Sequence, residues 1–126
     1  MYEKLVTGLA EARGPVSTAV RANGMIFTAQ IPKDAHGEIV DGDIRVQTRQ
    51  MLRNLETTAR SAGASLKDVA QVTLFIVDPE DFTAMNEVYG EFFEAPYPNR
   101  ATVVVKRLIG PTMLIEMTAV ICPGSV

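Results

Sequence analysis

Arg100 stands at the mouth of a β-branched run, Ala101-Thr102-Val103-Val104-Val105, and Glu116 stands inside the apolar run Leu114-Ile115-Glu116-Met117. A guanidinium at a strand end offers two parallel N–H donors that match a carboxylate. A carboxylate within an apolar strand is costly to bury unpaired, so it needs a partner or a task. If residues 108–113 form a short connection, the two strands are neighbours. The residues then leave two readings open: a structural Arg100–Glu116 ion pair, or a carboxylate-binding cation and an acid–base group sharing one cleft.

The elements that would position this pair follow from pattern. Residues 16–22 and 25–30 flank Asn23-Gly24, the dipeptide suited to a type I′ hairpin turn, and the Pro-, Asp- and Gly-rich stretch 32–42 reads as a loop. From Asp43, the spacing of Ile44, Met51, Leu52, Leu55, Ala59 and Ala62 marks one helical face. Arg45, Arg49, Arg53 and Glu56 turn to water, and Gly63 provides the left-handed stop. Residues 69–77 read as a strand with apolar residues on both faces. Asp78 and Pro79 start a second helix with Phe82, Met85, Tyr89, Phe92 and Phe93 as its stripe, and Pro96 and Pro98 stop it. Strands over 101–108 and 113–122 complete an α+β fold of about five strands and two helices. Two helices cover one face of a sheet, so the other face calls for a second copy of the chain.

Composition limits the function classes. The 126 residues suit a single domain spanning 1–126, and 47% hydrophobic content argues against disorder. The net charge of −3, without a basic cluster, argues against a nucleic-acid partner. No apolar run reaches the ~20 residues of a membrane span. Cys122 is the single cysteine and His36, in a turn-like Asp34-Ala35-His36-Gly37, the single histidine, so no metal site is expected. With no signal-like start at Met1-Tyr2-Glu3-Lys4, a reducing, cytoplasmic setting is expected.

The segment Pro98-Asn99-Arg100 with its strand, and the ending 115–120, resemble the signature of the RidA/YjgF reactive-intermediate deaminase family. Gly14-Pro15, the hairpin at 23–28, Gln30-Ile31-Pro32, Gly37-Glu38, the helix segment 50–55, Ala62-Gly63, Asp78 and Asn86-x-x-Tyr89-x-x-Phe92-Phe93 are similar in the same order. The resemblance implies a chorismate-mutase-like fold, a mixed β-sheet with two helices on one face, assembled as a homotrimer with clefts between subunits. It also implies a cofactor-free hydrolysis of a 2-imino or enamino carboxylate to a 2-oxo acid and ammonia. On this resemblance Arg100 binds the substrate carboxylate, Glu116 positions or activates water, Asn86 faces the cleft, and Thr102 contributes backbone groups where many members have cysteine.

Two departures accompany the resemblance. Val16 stands where the family has a tyrosine, and Thr28-Ala29-Gln30 is one residue shorter than the family's Thr-Ser-Gly-Gln turn, so a serine hydroxyl near Ala29 is absent. The implied pocket, with Val16 and Ala29 in its wall, is more apolar at its mouth and favours bulkier imines. The alternative is a non-catalytic binding protein that uses the same cleft for a carboxylate metabolite. Older family naming also suggests a ribonuclease, which the acidic balance disfavours.

Overall fold

Asn23 and Gly24 take φ values of 51° and 75°, the paired positive angles of a type I′ turn. They set β2 (Ala19–Ala22) antiparallel to β3 (Met25–Gln30) in a computed structural model that describes residues 1–124. A two-residue strand, β1 (Glu3–Lys4), extends this hairpin on its outer side.

Asp43 begins α1 (Ile44–Ser61), its carboxylate accepting from the Val46 N–H at 3.1 Å. Beyond its C-terminus, Gly63 takes φ 74°. Met51, Leu52, Leu55 and Ala59 are fully buried as the spacing requires. Arg45 and Arg49, on the water-facing side of α1, also reach Glu87 and Glu91 on the second helix, the latter at 2.8 Å. Such exposed pairs orient more than they stabilise.

In β4 (Val69–Ile76), Val72, Leu74 and Ile76 are buried, whereas Thr73 and Phe75 on the opposite face are half-covered and Gln71 is exposed. Asp78 caps a 3₁₀ turn at Pro79–Asp81 rather than an α-helix, accepting from the Glu80 N–H at 2.9 Å. The α-helix proper, α2 (Phe82–Phe92), starts one turn later and buries Met85, Val88 and Tyr89, while Phe82 lies largely in the open. β5 (Asn99–Val104) and β6 (Ile115–Ile121) follow.

The sheet has six strands in the order β1-β2-β3-β6-β4-β5. β5 runs parallel to β4 after the crossover through α2, and all other pairs are antiparallel, which makes the sheet mixed. The expectation that β5 and β6 are neighbours is therefore corrected, because β4 lies between them. The reason is burial: β4 supplies Val72, Leu74 and Ile76 to the core and gains most from a central place, whereas β5 is mostly exposed and suits an edge.

Both helices cover one face. Ile26, Leu74, Ile115 and Met117 from the strands pack with Met51, Leu52, Leu55 and Met85 from the helices in one continuous core. Leu55→Ala, which empties part of that layer, is expected to cost about 2–5 kcal/mol of unfolding free energy, measurable as a lower denaturant midpoint with unchanged slope.

Candidate active site

Register decides where the two charged residues point. Arg100 lies opposite the buried Val72, so its side chain leaves the helix-covered face of the sheet. Glu116 lies opposite Phe75, on the uncovered face. Within one chain the two are separated by about 10 Å across the strands and about 10 Å along them, and they project to opposite sides. Neither forms an ion pair with the other, so the structural-pair reading is corrected: β4 lies between their strands, and the two side chains leave opposite faces of the sheet.

Arg100 is held by neutral groups. Its Nη2 donates to Asn86 Oδ1 at 2.7 Å, and its guanidinium carbon sits 4.6 Å from the Tyr89 ring centroid and 5.9 Å from that of Phe82. Phe82, Asn86 and Tyr89 recur at helical spacing, so a single face of α2 forms this cradle. Contacts of this kind fix a guanidinium without consuming its charge. Among the described residues no carboxylate pairs with Arg100, so its charge remains available to an anion. The adjoining hollow of about 330 Å³ is lined by Asn86, Tyr89, Gly90, Tyr97, Pro98 and Arg100. Thr102 is half-buried two residues along the same edge strand, in register with Leu74 and on the same face as Arg100.

Glu116 has the opposite environment. It is half-buried, and burial pushes its carboxyl pKa up from the ordinary value. No ion pair or hydrogen bond to its side chain occurs among the described residues. It opens into a cavity of about 370 Å³ that also contains Val16, Ala29 and Lys33. A half-buried carboxylate whose proton is retained to higher pH than that of an exposed one suits proton transfer.

The structure thus gathers Val16, Ala29 and Glu116 in one cavity, and Asn86 and Arg100 in another. It does not join the two groups within a chain. The wall expected to be apolar also carries Glu11, Arg13 and Lys33. Lys33 was hidden in a segment that reads as a solvated loop; its only local signal is the strand-like Gln30-Ile31 that leads into it. Tyr89 reads from sequence as a core residue, and it is one, but its ring also supports Arg100.

His36 sits in a turn where Asp34 Oδ1 accepts from the His36 and Glu38 N–H groups. Cys122 is partly exposed. Among the described residues no three His, Cys, Asp or Glu side chains converge as metal ligands, and no helix is long and apolar enough to cross a membrane.

Comparison with known proteins agrees with this fold. The family model described as Endoribonuclease L-PSP matches residues 7–122. A RutC family protein of Pyrococcus abyssi is 47% identical over 109 residues, covering 85% of each chain. A protein of Dermatophagoides farinae named 2-iminobutanoate/2-iminopropanoate deaminase is 37% identical over 97 residues, covering 75% of this chain and 76% of that one. The crystal structure of the YjgF gene product of E. coli superposes with a TM-score of 0.86 at 32% identity, covering 95% of this chain and 97% of that chain. On the match over residues 7–122 and these relatives, the chain belongs to the RidA/YjgF family.

Proposed function

We propose that this protein hydrolyses a reactive 2-imino or enamino carboxylate to the 2-oxo acid and ammonia. The observation that carries the reading is the division of labour just described: a guanidinium held by neutral groups with its charge unspent, and a half-buried carboxylate with no counter-charge. Similarity to a relative named 2-iminobutanoate/2-iminopropanoate deaminase supports it.

Arg100 takes the substrate carboxylate through paired N–H donors. That fixes the adjacent C2 and its C=N bond. Glu116, ionised, accepts a proton from water as the water oxygen attacks C2 of the protonated imine, giving a carbinolamine. The same carboxyl returns the proton to nitrogen; the C–N bond breaks, the re-ionised carboxylate takes the hydroxyl proton and passes it to solvent, and C2 becomes a carbonyl as ammonia departs. Asn86 keeps Arg100 in place, and the edge backbone around Thr102 lies beside the bound carboxylate.

In our reading two copies of the chain build this site, one contributing Arg100 with Asn86 and Thr102, the other Glu116 with Val16 and Ala29. The uncovered sheet face gives the physical motive: Phe27 is 40% and Val103 39% exposed on it, and Phe75 is only half-covered. A homotrimer closes such a heterologous contact into a ring. Light scattering should give about three times the chain mass of 13.7 kDa.

The reaction itself is tested by generating imines in situ with amino acid oxidases and following their disappearance in competition with semicarbazide. Acceleration by the protein supports the assignment. Absence of acceleration, with saturable binding of 2-oxo acids, would favour the non-catalytic binding protein.

A further inference from the structure

Lys33 is a buried cation with too few partners. It is only 5% exposed, and its Nζ donates to the Ala10 carbonyl at 2.6 Å. An ammonium has three N–H donors, and no other hydrogen bond or ion pair to Lys33 Nζ occurs among the described residues. Burial pulls its pKa down, opposed only by the charge of Glu11.

The charges around this cavity sort into two kinds. Glu11 is engaged by Lys4 at 2.7 Å and Arg13 by Glu38 at 3.3 Å, both from outside the cavity lining. Lys33 and Glu116 line the same cavity, and neither forms an ion pair with the other or with any described residue; Glu11 acts on Lys33 only through its charge. The cavity therefore has one carboxylate suited to proton transfer and, apart from it, an ammonium with donors to spare.

We infer that Lys33 is a second anion-binding point in the Glu116 cavity, and that the preferred imine carries a second carboxylate at the end remote from the one held by Arg100. This deepens the deaminase reading and rests on it. A distal carboxylate at Lys33 satisfies the spare ammonium donors and neutralises the buried charge. A monocarboxylate imine leaves both costs in place. Val16 and Ala29, which offer no hydroxyls here, leave Lys33 as the cation through which this wall selects its ligand.

The test compares the imines formed from L-glutamate and L-leucine by their oxidases. The kcat/KM for the glutamate-derived imine is expected to exceed that for the leucine-derived one by about tenfold or more. Lys33→Met should lower that ratio by about tenfold, and Lys33→Arg should recover most of it. A purely structural tether to Ala10 would lower both substrates together and leave the ratio unchanged. As a measurement independent of the variants, 2-oxoglutarate should raise the melting temperature of the unmodified protein more than 2-oxobutanoate does at equal concentration. Equal or better use of the leucine-derived imine, or equal protection by the two oxo acids, overturns the inference. Hydrolysis of neither imine overturns the deaminase reading instead, and greater protection by 2-oxoglutarate would then still register the anion site.

Discussion

Arg100→Ala is expected to reduce kcat/KM by about 10²–10⁴-fold, since a desolvated, charge-assisted bidentate contact is worth several kcal/mol. The loss should fall on substrate binding as well as turnover, because the same contact places C2. Arg100→Lys should recover only a small part, as an ammonium cannot reproduce the planar fork that rests against Tyr89. Folding should survive both changes. Arg100 is half-exposed on an edge strand; its removal frees the Asn86 amide, which water can satisfy, and uncovers the rings of Tyr89 and Phe82 at the surface. Steady-state kinetics beside a thermal melt separate the two effects; wild-type kinetics in a folded Arg100→Ala protein would remove Arg100 from the site.

Glu116→Gln is expected to lower kcat by about 10²–10⁴-fold with little change in KM, since the amide keeps the shape and loses the base. Burial raises the Glu116 pKa from the ordinary 4.5, so the acidic limb of the kcat profile should lie above that of an exposed glutamate. The same shift has a consequence for stability. With the folded-state pKa raised, the unfolded chain releases its proton first as pH climbs, so ionisation of Glu116 disfavours the folded chain above the ordinary carboxylate range. Glu116→Gln should therefore melt higher than the unmodified protein at neutral pH, and the difference should vanish as pH falls below that range. A variant that is both more stable and inactive marks a residue kept for chemistry rather than packing.

Local structure was legible where a single residue type controls the backbone. Asn23-Gly24 announced the hairpin, Asp43 and Gly63 bounded α1, and the spacing of Met51, Leu52 and Leu55 marked its buried face. The order of the strands was not. A period of two assigns residues to alternate faces but does not say which strand lies beside which, and the crossover through α2 carried β5 to the far edge of β4. Arg100 and Glu116 therefore look adjacent along the chain and point to opposite faces of the sheet. Both were singled out by residue type; their separation needed the register. Lys33 shows the complementary limit, since a lysine between Pro32 and Asp34 reads as solvated, and only the fold brings the distant Ala10 carbonyl to its ammonium and buries it.

Whether Arg100 of one copy and Glu116 of another share a site is decided by complementation. Arg100→Ala and Glu116→Gln proteins, each inactive alone, are co-expressed with different tags, and the mixed assemblies are isolated through both. If the site spans two chains, an interface that pairs the Glu116→Gln copy's arginine with the Arg100→Ala copy's glutamate is intact; every mixed trimer has one such interface among its three, so about a third of wild-type activity should return. If mixed assemblies of confirmed composition stay as inactive as the parents, the two residues do not act together across a subunit boundary.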